Sequence, residues 1–156
     1  MEAVREVLKH IAMKKTPKDA ETGLPKRYVS GLSAKDKKEQ VKEIKKSQKL
    51  YKETGEVRER PALGKSKHSP HVIRFEEEYG FPITDLTKVK SRFPNTDIDA
   101  ILSKGRAAYA SGSRPGQSPS SWAFARLASV LTGGKALAVD KDLVGDYDLK
   151  KIISRI

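Results

Sequence analysis

The chain contains no cysteine, which excludes disulfides, thiolate nucleophiles and cysteine-ligated zinc or iron–sulfur centres and fits a reducing compartment or a particle assembled in one. Aromatic residues are scarce at 6%, with one tryptophan in 156 residues. Long apolar runs are missing too, and no stretch approaches a membrane span. The opening MEAVREVLKHIAMKK sets Val4, Val7, Leu8 and Ile11 at helical spacing, not in the continuous apolar block of a signal peptide. Sustained period-two alternation and strand-flanked hairpin dipeptides are absent, so nothing points to a sheet.

Catalytic signatures are lacking as well. There is no Gly-x-Ser-x-Gly elbow. His10, His68 and His71 come without further ligands at metal spacing. Asp97 and Asp99, the nearest thing to paired carboxylates, stand at a helix start where they serve as cap and dipole complements. TGGKA has neither the preceding strand nor the longer glycine pattern of a phosphate loop. No enzyme, metal or cofactor is expected.

What the chain has in excess is positive charge. Lys and Arg outnumber Asp and Glu by 32 to 20, a formal charge of +12, and the pI is near 9.8. Such an excess attracts polyanions, nucleic acid first and an anionic membrane surface second. With 37% hydrophobic and 33% charged residues, one modest core is expected and parts of the chain remain solvated.

Punctuation along the chain predicts a mainly α fold: a small compact bundle of short helices with an irregular basic N-terminal arm and one long basic helix. A short amphipathic helix covers residues 1–12. Pro17, Gly23, Pro25 and Gly31 make 14–32 an irregular arm. Ser33 and Asp36 read as a capping box opening a lysine-rich helix that Gly55 closes. Ser69-Pro70 opens a helix that Gly80 ends, and Thr84 or Asp85 starts a short one that Pro94 stops. Thr96 with Asp99 reads as a capping box for a helix reaching Ser111. Ser118-Pro119 opens a buried helix ended by Gly133-Gly134, and a last pair follows. The expected division is a basic region, 1–60, and a compact helical domain, 61–156.

The lysine-rich helix has only a thin apolar stripe of Ala34, Val41, Ile44 and Tyr51. Lys38, Lys42, Lys45, Lys46 and Lys49, with Arg58, Arg60, Lys65 and Lys67 after it, are the candidate phosphate contacts. A face laced by Glu39 and Glu43 pairs is the plainer alternative. In the turn SGSRPGQSPS, Arg114, Gln117 and Ser118 either hold an anion at a helix start or form a clasp, with Ser118 capping the helix and Arg114 pairing with an acid such as Asp140. Lys135 extends the basic surface. Trp122, Arg126, Gly133 and Gly134 are expected to form the structural hub.

KRYVSGLSAKDKKEQVKEIKKSQKLYKETG, GKSKHSPHVIRFEEEYG and ILSKGRAAYASGSRPGQSPSSWAFARLASVLTGGKALAVDKDL together resemble a family of small basic proteins of unknown function encoded by large DNA viruses of algae and amoebae and by some tailed phages. The resemblance spans roughly residues 26–144 and carries over no catalytic residue. It implies a viral setting: a non-enzymatic virion component, minor capsid or capsid-associated, whose partners are capsid proteins or nucleic acid, with DNA ahead of RNA. A homo-oligomer inside the particle fits that setting. The expected location is the virion, otherwise the host cell interior. A free nucleic-acid-binding protein of infection is the alternative, and a nucleic-acid-processing enzyme using the Arg114–Trp122 turn is a third.

Overall fold

The structure, a computed structural model, describes residues 2–14, 16–63 and 69–156. Among these, eight α-helices follow one another: α1 (Glu2–Ala12), α2 (Ala34–Thr54), α3 (Pro70–Tyr79), α4 (Leu86–Arg92), α5 (Ile98–Ser111), α6 (Pro119–Leu131), α7 (Lys135–Asp140) and α8 (Asp146–Ile153). No strand forms among the described residues; the only ladder contacts there are isolated bridges, Lys18 to Pro25 and Thr96 to Val144. The mainly α reading holds, and so do most of its boundaries, because the caps are local chemistry. Ser33 Oγ accepts the Asp36 N–H and Gly55 closes α2 at φ 74°. Ser69 Oγ accepts the His71 N–H, Pro70 takes the first helical position, and Gly80 closes α3 at φ 79°. Asp85 accepts the Lys88 N–H.

One cap differs from expectation. Asp97 Oδ1, and not the Thr96 hydroxyl, receives the N–H of Ala100 at the start of α5. Thr96 is engaged elsewhere: its hydroxyl donates to Asp148 Oδ2 at 2.8 Å, which also accepts the Asn95 N–H at 2.8 Å.

The residues group into two compact units: Met1–Lys14, His68–Ser103 and Ala123–Ile156 in the first; Lys15–Lys67 and Lys104–Trp122 in the second. Each therefore draws on both sides of the expected division at residue 60.

The first unit holds the larger core. Val4, Leu8 and Ile11 recur at helical spacing on α1 and pack, through α7 and α8, into a cluster with Phe75, Ile83, Val89, Phe93, Ile101, Leu127, Leu131, Leu137 and Ile152. Phe75 meets Tyr79, Phe81 and Phe93 at centroid distances of 4.8, 5.5 and 6.4 Å, each pair adding somewhat to its area burial. Alanines at 123 and 128 let neighbours approach α6 closely. Beside this core Arg126 grips the buried Asp140 with two bonds of 2.7 and 2.8 Å, so the acid proposed for Arg114 belongs to Arg126. Gly133 ends α6 at φ 78°, and the Ile156 side chain lies where a Cβ would stand.

The second unit is built on α2. Its residues 16–32 are irregular, as expected of the arm, but folded back on themselves. Asp19 accepts the N–H and hydroxyl of Thr22, Asp19 N–H donates to the Leu24 carbonyl, and Lys37 on α2 donates to Asp19 at 2.9 Å and Glu21 at 3.0 Å. The stretch thus closes a turn and clips it to the helix. The ammonium of Lys37 and the Thr22 hydroxyl lower the Asp19 pKa, while Asp19 and Glu21 raise that of Lys37.

Candidate nucleic-acid interface

Helix α2 is 21 residues long, about 32 Å at 1.5 Å per residue. Its inward edge is Gln40, Ile44 and Ser47, all buried, and it is fixed mostly by neutral bonds. Gln40 Nε2 donates to the carbonyls of Tyr28 and Ser113 at 3.1 and 3.3 Å. Gln48 Nε2 donates to the Ser111 carbonyl at 2.9 Å. The Tyr28 ring in turn occupies the space beside Gly112, whose φ of 144° suits glycine alone.

With its neutral polar side chains spent on the protein, α2 turns lysine outward. Lys35, Lys38, Lys42, Lys45, Lys49 and Lys52 are all exposed and follow one another at alternating spacings of three and four. At 100° per residue this row lies roughly 160° around the helix from the Gln40–Ile44–Ser47 edge. It runs for about 26 Å. None of the six has an ion pair among the described residues, whereas Lys46, to one side, meets Glu43 at 3.6 Å. Lys38, Val41, Lys42, Lys45, Lys46 and Lys49 line an open trough of about 510 Å³. Lys35 and Lys52 extend the expected set at both ends; the three-four spacing already marks them.

The candidates that follow α2 separate. Arg58 is exposed but paired with Glu56 through bonds of 2.8 and 3.3 Å, and that carboxylate raises its pKa. Arg60 corrects the expectation of a phosphate contact. It is 7% exposed, and its guanidinium donates to Ser47 Oγ at 2.9 Å, the Tyr109 carbonyl at 2.7 Å and Ser113 Oγ at 2.7 Å. Its own N–H reaches the Tyr109 hydroxyl at 2.8 Å. No carboxylate lies within ion-pair range of it among the described residues, and burial lowers its pKa. Lys65 and Lys67 lie outside the described residues.

The turn before α6 is occupied by its own side chains. Ser118 and Ser121 exchange bonds, each backbone N–H donating to the other's hydroxyl at 2.9 and 3.0 Å, and the Ser121 hydroxyl also reaches Gln117 Oε1 at 2.8 Å. Ser118 is therefore the cap, and Arg114 is exposed. Trp122 is only half-buried and is not the centre of the larger core, a correction of the expected hub. It stands edge-on to Tyr28 at 6.2 Å, with the Arg27 guanidinium 5.8 Å from its ring centre. Arg106 donates to Ser120 at 2.9 Å. Arg27 and Arg106 were not among the sequence candidates, since neither lies in a charge run or helical row. Lys135 is exposed at the start of α7 in the first unit.

Comparison with known proteins comes down to one family. Residues 25–150 match the Family of unknown function (DUF5824), and the chain belongs to it. No curated protein and no solved structure matches the chain.

Proposed function

We propose that this family member is a non-enzymatic component of a viral particle, minor capsid or capsid-associated, whose α2 lies against the phosphates of packaged nucleic acid. The observation that carries the reading is the row of six exposed lysines, without an ion pair among the described residues, on the face of α2 turned away from its buried edge. A solvated helix face ordinarily mixes signs so that pairs at three and four residues offset one another. Here the acids Glu39 and Glu43 flank the row and only Glu53, at its far end, falls within it. That arrangement leaves a line of charge whose natural complement is a polyanion. The viral setting rests on the resemblance of the chain's three longest motifs to proteins of large DNA viruses and phages.

The test has two arms. Mass spectrometry of purified particles should find the protein at a fixed stoichiometry. Purified protein should bind DNA with an affinity that falls steeply as salt rises. Binding without presence in particles would make it a free nucleic-acid-binding protein of infection. Presence without DNA binding would move the contact to the capsid shell. Failure of both removes the reading.

A further inference from the structure

The row on α2 has a chemical composition that narrows its partner. Reading a base edge takes groups that donate or accept in a fixed pattern, chiefly Arg, Asn and Gln. Holding an unpaired strand takes aromatic faces on which bases stack. Helix α2 contains no arginine and no asparagine. Its two glutamines are turned to the protein, Gln40 to Tyr28 and Ser113 and Gln48 to Ser111. Ser47 is buried as the acceptor for Arg60. Its one aromatic, Tyr51, is 40% exposed but stands on the azimuth of the buried edge, not of the lysines. What faces outward is a file of point charges on flexible stems, which meet phosphates without regard to the bases between them.

The form of the file matters too. A rigid helix presents it as a straight line about 26 Å long, which covers about eight base-pair steps of duplex at 3.4 Å each. A duplex is stiff on that scale, so its phosphates are held about an axis as straight as the helix. It also carries the denser counterion atmosphere, so each phosphate neutralised releases about 0.9 counterion, against about 0.7 for a single strand. We infer that the lysine row of α2 is a docking face for double-helical DNA that grips the backbone and is indifferent to base sequence. This rests on the nucleic-acid reading above and specifies the polymer.

The experiment measures binding of the full chain to 20-base-pair duplexes of differing sequence and to a 20-nucleotide oligo(dT) across 50–200 mM salt. Six contacts predict a log–log slope of about −5 on duplex, a loss of about 10³-fold across that range, and about −4 on the single strand. K42Q/K45Q/K49Q should bring the duplex slope to about −3, since about 0.9 goes with each contact. K9Q/K141Q/K150Q removes the same charge from exposed positions off α2 and should leave the slope unchanged. Circular dichroism establishes that both variants fold. Preference for the oligo(dT), or a tenfold spread among duplex sequences, overturns the inference while sparing the nucleic-acid reading. An equal loss in both variants overturns the assignment to the row. No salt-dependent binding to either polymer overturns the nucleic-acid reading itself.

Discussion

The guanidinium of Arg60 lies 3.9 Å from the centre of the Tyr109 ring while its two terminal nitrogens reach the Tyr109 carbonyl and the hydroxyls of Ser47 and Ser113. A buried cation is thus held by a π face and neutral oxygens, joining α2, the segment after it and the end of α5. Such an arrangement is costly to break, because the remaining polar groups stay buried without partners. Arg60→Ala should destabilise the protein by about 3 kcal/mol in urea unfolding. Arg60→Lys keeps the charge but not the planar fork, and should recover only part of that loss. If Arg60→Lys folds, its DNA-binding salt slope should equal that of the parent chain, because this arginine meets no phosphate.

Gly112 is the second sensitive point. Its backbone sits at φ 144° and the Tyr28 ring fills the place of a side chain. Gly112→Ala therefore meets both a disfavoured conformation and a steric block, and should lower stability by about 2 kcal/mol or more. Gly55→Ala offers the comparison. It has φ 74° but nothing within 4 Å, so only the conformational term of about 1 kcal/mol applies. Thermal unfolding of the two variants separates the contributions.

The clip between Asp19 and Lys37 should respond to pH in a defined sense. Asp19 has its pKa lowered on folding, chiefly by Lys37 and Thr22, so its contribution is complete above the ordinary aspartate range. It is lost as pH falls through the lower folded value. Lys37, raised by Asp19 and Glu21, contributes below the ordinary lysine range and stops contributing only as pH climbs through its higher folded value. Protection of the amides of residues 16–32, taken relative to intrinsic exchange at each pH, should therefore be high and flat near neutrality and fall at strongly acid pH. Asp19→Ala should lower that protection at neutral pH, and protection that stays flat into acid in the parent chain would remove the clip's role.

Arg126 and Asp140 form the one bidentate pair of the first unit's described residues with a fully buried acid, the Asp140 side chain being 0% exposed. Arg126→Ala removes two charge-assisted bonds from a buried carboxylate, and a loss of about 2 kcal/mol is expected. Removing both partners should cost less than the two single changes added together. A double-mutant cycle by chemical denaturation measures the difference, and additivity would mean that the two act independently.

How far the sequence led depends on how local the chemistry is. Ser33, Gly55, Ser69-Pro70, Gly80 and Gly133 act within four residues of themselves, and every one punctuates the chain where its type suggests. The lysine row was legible for the same reason, since spacing along one helix needs no partner. Thr96 failed as a cap because Asp148, 52 residues on, takes its hydroxyl. Arg60 misled in the same way. Inside VRERP it has the company of a solvated charge run, and its partners lie 13, 49 and 53 residues away. Trp122 reads as hub because it opens an apolar run and is its largest member, yet the buried face of α6 begins one residue later, at Ala123. The stretch 14–32 reads as an irregular arm because its prolines and glycines rule out a helix, and nothing in it announces the Asp19–Lys37 tie.

The way α2 is seated separates two responses to ionic strength. Amides, carbonyls, one isoleucine and the buried Arg60 hold the inner edge of the helix in place, and salt weakens these far less than it weakens the exposed lysines of the opposite face, whose action depends on unscreened charge. A bound polymer should therefore wash off in concentrated brine from a protein that stays folded. Returning to dilute buffer should restore the original grip without any refolding step.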